Sequence, residues 1–256
     1  MSSLRALTKQ LIPRQHLPAV MEIYGLLQSS LYGGDQVICP CCNGRFRKFL
    51  PGGVDRRPNA VCPRCNSLER HRLLWLYLKN KTNILHARLK VLHIAPEYIF
   101  QKAFTCMDNI SYVSAGLNAP FANVVMDITN ILEDDNSFDV ILCNHVLEHI
   151  MDDKKAMNEL FRVLKPEGWA ILQSPVDVKR EKTFEDPTIV LPKERERFFG
   201  KDDHVRVYGR DYKDRLEQAG FTVKIDSYTK SLGIEMIEKC GLSEDEDIYF
   251  CTKLKS

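Results

Sequence analysis

Residues 138–150 read FDVILCNHVLEHI, and this stretch decides the fold. Val140–Asn144 is a short apolar run that stops at a polar cluster of Asn144, His145, Glu148 and His149. A run of this length and character is a strand buried on both faces, with its carboxyl end opening onto a polar surface. On either side the same alternation continues. Further strands are predicted at Val91–Ala95, Tyr112–Ala115, Asn123–Met126, Trp169–Ser174, Thr222–Ser227 and Ile248–Lys253, with helices at 97–106, 153–164 and 209–219. Short apolar runs alternating with helical stretches are the mark of a parallel sheet with crossover helices. The chain from 84 to 256 is therefore predicted to be an α/β, doubly wound, Rossmann-like domain.

Upstream the pattern changes. Residues 17–32 carry apolar positions at helical spacing that end at Gly33-Gly34, which defines a helical leader over 1–34. A cysteine-rich segment and a linking helix, opened by Ser67 at 67–80, fill residues 35–80. Cys39-Pro-Cys-Cys42 and Cys62-Pro-Arg-Cys65 are two knuckles nineteen residues apart, within the spacing of a four-cysteine zinc site. Four thiolates close the tetrahedron of Zn²⁺ and leave no open position, so such a ribbon stabilises folding and does no chemistry. A rubredoxin-type iron site and a redox pair are the alternatives. Cys41 sits one residue too close to Cys39 for the usual knuckle, and His71 is a weaker candidate ligand. Cys106, Cys143, Cys240 and Cys251 are scattered, as buried small hydrophobes are.

Composition narrows the class. At 44% hydrophobic and 27% charged residues, with no apolar run near the roughly 20 residues of a membrane span, the chain is that of a globular protein without membrane insertion. Met1–Leu11 lacks the apolar core of a secretory signal, and a cytoplasmic location is expected. Net charge is only +2, yet residues 45–90 hold twelve basic residues against two acids, leaving 24 basic and 32 acidic elsewhere. This basic module is either a phosphate-binding face or a solvated surface.

The segments VLHIAPE (91–97), DIT (127–129), FDVILCNHVLEHI (138–150) and LFRVLKPEGW (160–169) together resemble the class I S-adenosylmethionine-dependent methyltransferases over roughly residues 88–255. With the cysteines included, the chain is similar to a type 11-like subgroup that joins a cysteine-rich N-terminal segment to this domain; residues 184–209 add to that likeness. The resemblance implies S-adenosylmethionine as cofactor, bound beyond the carboxyl ends of the strands, where the loops of a doubly wound sheet converge. It places His93, Ala95 and Glu97 in the first loop, Asp127 and Ile128 on the adenine side, and Asn144 and His145 at the end of the fourth strand. Two positions depart from the family pattern. The glycine-rich first loop reads His93-Ile-Ala95-Pro96-Glu97, and the expected ribose carboxylate is Gly116. Glu97 can replace that carboxylate or simply start a helix; Asp127 can face the adenine or cap a turn.

A hydroxyl or amine acceptor must lose a proton, which calls for a base that titrates near neutrality. His145 and His204 are the candidate catalytic residues, with His149 behind them and Glu148 as a structural partner. In Asp202–Tyr208, Asp203, Arg206 and Tyr208 are candidate substrate-binding residues, Arg206 for an anionic acceptor; the alternative is a salt-bridged loop that closes the domain. Three functions follow: methylation of a small-molecule or saccharide-type acceptor, methylation of RNA gripped by the basic zinc module, or a non-catalytic partner that kept the fold.

Overall fold

The computed structural model describes residue 13, residues 16–53 and residues 56–255; the Met1–Leu11 stretch and Asp55 lie outside the described residues. In chain order the elements are α1 (Leu17–Tyr32), β1 (Gly33–Ile38), β2 (Arg45–Phe46), β3 (Leu50–Gly52), β4 (Arg57–Val61), α2 (Glu69–Lys81), β5 (Leu89–Ile94), α3 (Tyr98–Thr105), β6 (Ile110–Ala115) and β7 (Phe138–Asn144). After these come α4 (Asp153–Val163), β8 (Leu164–Gln173), β9 (Phe184–Glu185), α5 (Pro192–Phe199), β10 (Arg206–Val207), α6 (Tyr212–Gln218), β11 (Thr222–Asp226), α7 (Ile234–Cys240) and β12 (Ile248–Thr252). They fall into two units. The first holds the described residues up to Leu85 with Glu97–Ala103 and Ser227–Asp247, and the second holds His86–Pro96, Phe104–Asp226 and the described residues from Ile248 onward.

The second unit is built on a six-stranded sheet of order β11-β12-β8-β7-β5-β6. β5 runs parallel to β6 and β7, and β7 parallel to β8, whereas β12 is antiparallel to both β8 and β11. The doubly wound α/β sheet and its antiparallel edge pair are thus both present. Strand β7 lies inside the sheet, which is why Val140, Ile141, Leu142 and Cys143 are all fully buried. Helix α4 covers it through Ala156, Leu160 and Val163, spaced to share one helical face. Asp152 caps that helix by accepting from the Lys155 N–H.

One expected strand does not form. At Asn123–Met126 only a single parallel bridge, Ala115 to Val124, is made. The N–H groups of Asn123 and Val124 both point to the Ser114 carbonyl, so two residues oppose one and the ladder stops there. Val125 is 80% exposed; no burial rewards extending the pairing.

In the first unit, two short antiparallel hairpins, β1–β2 and β3–β4, carry the cysteines at their ends. The segments 97–103 and 227–247, which the sequence places within 84–256, cluster here for a visible reason. The Arg72 side chain of α2 is fully buried and donates to the carbonyls of Ala60, Ser67, Cys240 and Gly241, while its guanidinium lies 4.0 Å from the Phe49 ring centre. Trp75 stacks on Phe100 at 6.0 Å. The linking helix starts at Glu69 with Leu68 as its N-cap, later than the Ser67 opening read from the sequence.

Candidate functional site

Cys39, Cys42, Cys62 and Cys65 present four sulfurs within 4.8 Å of one another. Cys39 Sγ is 3.6 Å from Cys65 Sγ, and Cys42 Sγ is 3.7 Å from Cys62 Sγ. Thiolates 2.3 Å from one tetrahedral ion sit about 3.8 Å apart, so the spacing and the donor set fit a Zn²⁺-sized metal. Both knuckles close in the same way. The Asn43 N–H reaches the Cys39 carbonyl and the Asn66 N–H the Cys62 carbonyl, each asparagine holding a left-handed backbone at φ near +55°. Asparagine tolerates that region better than most residues. A shared signal, Cys-Pro-x-Cys-Asn, stands in both copies of the sequence, and its last residue went unread. Ser67, instead of capping α2, lies 3.2 Å from the sulfurs of both Cys39 and Cys65. Cys41 turns away to the His71 carbonyl, and burial pushes its thiol up. His71 Nδ1 accepts from the Leu68 N–H at the start of α2 and is not among the four ligands.

The second unit carries the polar crest at the carboxyl ends of its parallel strands. At the end of β5, Ala95 holds φ +48°, the left-handed conformation that a glycine-rich loop would otherwise supply, and its N–H bonds the Ala115 carbonyl at 2.7 Å. A Cβ added to Gly116 would meet the Ala119 Cβ at 3.0 Å and the Ala95 backbone at 3.6 Å. A side chain at 116 would crowd the Ala119 methyl, and glycine lets the two loops approach closely here. At the end of β7, Asn144 is only 7% exposed, and among the described residues neither its carboxamide oxygen nor its nitrogen has a hydrogen-bond partner. His145, next in line, is left-handed at φ +54° and donates its N–H to the Gln173 carbonyl.

Other predicted residues are placed differently. His93 is fully buried, with Nδ1 2.9 Å from the Tyr112 hydroxyl and its ring edge-on to Phe104, so its side chain packs inside the unit. Ile128 belongs to the apolar core. Asp127 is exposed; its Oδ1 accepts from both the N–H and the hydroxyl of Thr129, bonds that hold its carboxyl below the usual carboxylate range. It caps a turn, and its second oxygen is left for another donor. Glu97 belongs to the first unit, where its carbonyl starts α3 by accepting from Phe100 and Gln101 and its carboxylate lies 3.8 Å from His71 Nε2.

Downstream, Arg206 is 3% exposed and donates to Glu185 and to the carbonyls of Leu147, Ile150 and Met151. Tyr208 is fully buried and donates to Asp153 at 2.7 Å. Neither side chain is available to an acceptor; packing has spent their donors on closing the loop, as in the salt-bridged alternative. Asp203 is exposed, with Oδ2 3.5 Å from His149 Nδ1. His204 lies on His149, ring centres 4.8 Å apart and edge to face. Burial lowers the His204 pKa below its ordinary value. For Glu148, burial acts to raise the carboxyl, but the hydrogen bond and charge of His145 outweigh it and hold the group below its ordinary range.

Residues 91–172 match the family model described as a methyltransferase domain. This part of the chain is a methyltransferase domain of the class I fold, a family that implies S-adenosylmethionine as methyl donor. No curated protein matches the sequence. Among solved structures the chain is similar to the [4+2]-cyclase SpnF, at 14% identity over 95% of this chain and 97% of that one, with a TM-score of 0.51. It is also similar to a SAM-dependent methyltransferase from Archaeoglobus fulgidus (17% identity, 74% and 96% covered, TM-score 0.47) and to a putative methyltransferase from Bacillus halodurans (18%, 66% and 91%, 0.41). At these identities the likeness is one of fold, and a fold hosts many reactions.

Among the described residues, no helix is long and apolar enough to cross a membrane.

Proposed function

We propose that the protein transfers a methyl group from S-adenosylmethionine to a small-molecule or saccharide-type acceptor. The observation that carries this is Asn144, a buried carboxamide left without a partner at the carboxyl end of β7. An unpaired buried amide costs about 1–3 kcal/mol, so a site that keeps one holds it for a ligand. The residues fit the cofactor. Asn144 would take one of its polar groups, the outer oxygen of Asp127 another, and the tight Ala95–Gly116 approach would bring the backbone close to it. When bound, S-adenosylmethionine supplies a methyl group already activated by its sulfonium.

The protein's part is then positioning and proton removal. His145, in a left-handed turn beside Asn144, presents a ring whose Nδ1 is 3.4 Å from Glu148 Oε1. That carboxylate orients the ring toward the site, where it can take up an acceptor's proton. The basic module gives RNA less support than its composition suggests. Arg72 is buried against carbonyls, Arg57 pairs with Glu69 and Arg45 with Asp35.

Calorimetry with S-adenosylmethionine tests the proposal. The wild type is expected to bind, and Asn144→Leu to bind about tenfold or more weakly, with its melting temperature unchanged or raised because an orphaned amide has gone. Absence of binding by the wild type with its ribbon metal retained would leave the non-catalytic partner as the better reading.

A further inference from the structure

We propose that Glu148, His149 and His204 form a second divalent-metal site, separate from the four cysteines, with His145 at its edge. One ligand atom from each of the three lies within 4.8 Å of the others. Ligands about 2.1 Å from an ion are separated by roughly 3–4 Å, so binding asks the widest pair to close by about 1–2 Å at most. His145 Nδ1, 3.4 Å from Glu148 Oε1, stands at the rim of this group.

The supporting contacts are those of a metal centre. Ser174 donates to Glu148 Oε2 at 2.9 Å, and Oε1 lies on the side of His145. The Asp203 carbonyl lies 3.1 Å from His149 Nδ1. A carbonyl only accepts, so Nδ1 carries the proton and Nε2 keeps its lone pair, the arrangement in which a backbone carbonyl orients a ligating imidazole. The two contributing segments are also locked together. The Val205 N–H bonds the Glu148 carbonyl, and Arg206 ties the Leu147, Ile150 and Met151 carbonyls to the strand that follows His204. Arg206 thus acts as a positioning residue for His204.

Charge adds a further reason. Glu148 is 2% exposed, and among the described residues no lysine or arginine forms an ion pair with it. A buried carboxylate calls for a cation. Two imidazoles and one carboxylate, with no thiolate, suit a first-row divalent ion such as Mn²⁺, Co²⁺ or Zn²⁺ better than Ca²⁺. Three protein ligands leave positions open, next to Asn144 and His145 on the same turn. An oxygen bound there would lose its proton more readily, which selects a hydroxyl-bearing acceptor; this role, unlike the metal site itself, rests on the methyltransferase reading.

Cobalt titration of the full chain separates the two centres. The four-cysteine group gives intense thiolate-to-metal charge-transfer bands, and a histidine–carboxylate site gives only weak ligand-field bands. The wild type is expected to bind two equivalents, one of each kind. Glu148→Gln and, on the half-buried ring, His204→Asn are each expected to weaken the second equivalent at least tenfold while keeping the thiolate bands and the far-ultraviolet dichroism. Uptake confined to the thiolate bands, or a second equivalent that survives both substitutions in folded protein, would overturn the site. S-adenosylmethionine calorimetry on the same samples keeps the two proposals apart. Cofactor binding without the second ion defeats the metal site alone, and a second ion without cofactor binding defeats the methyltransferase reading and the acceptor role with it.

Discussion

Ala95 and His145 end β5 and β7 in left-handed conformations that side chains other than glycine enter at a cost of about 1–2 kcal/mol. The two strained residues stand at the crest where the strand ends converge, and strain of this kind is held where neighbouring structure enforces it. For Ala95 the enforcing contact is its N–H bond to the Ala115 carbonyl. Ala95→Gly should therefore raise the unfolding free energy by roughly 0.5–1 kcal/mol, the left-handed penalty less the entropy that glycine adds to the unfolded chain. Denaturant titration measures this; a loss of stability would show that the Ala95 methyl packs more usefully than its backbone is strained. The missing glycines of the first loop were plain in the sequence. That the backbone makes the turn without them was not, because the penalty is paid by a tertiary hydrogen bond.

At the scale of elements, the cysteine hairpins are too small to stand on their own apolar contacts. Cys39, Phe46, Phe49 and Cys62 form a core of four buried residues, two of them the ligands themselves. Removing the ion with a strong chelator, or Cys62→Ser, is expected to lower the melting temperature of this unit by about 10 °C or more, since metal binding there is folding free energy. An unchanged melt would mean that the aromatic contacts suffice. The knuckle spacing made this site legible from the sequence alone. Ser67 was legible only as a helix-capping type, and its actual place beside two sulfurs follows from where the β4 turn delivers it.

Across the second unit, Asp153, Glu185, Arg206 and Arg215 form one ion-pair network joining α4, β9, β10 and α6. For Glu185, partial burial acts to raise the carboxyl, but the Arg206 and Arg215 guanidiniums outweigh it and depress its pKa. A depressed carboxylate contributes stability above its unfolded value of about 4.3, and that contribution is lost as pH falls through the lower folded value. Glu185→Gln should accordingly cost about 1 kcal/mol at pH 7, with the gap to the wild type closing below about pH 4. Thermal melts from pH 7 to pH 3 test the sign; a gap that widens in acid would contradict the assignment.

What the sequence by itself determined is the alternation of strands and helices, the four thiolates and the crest positions at the end of β7, since burial on one face or both leaves a local period in the chain. The partners of its polar side chains were decided only by tertiary structure. Arg72, Arg206, Tyr208 and His93 read as surface or site residues and are buried. His204 comes to Glu148 and His149 from a loop more than fifty residues away. Packing selects which distant carbonyls and carboxylates are stripped of water, and each buried donor must then find one of them.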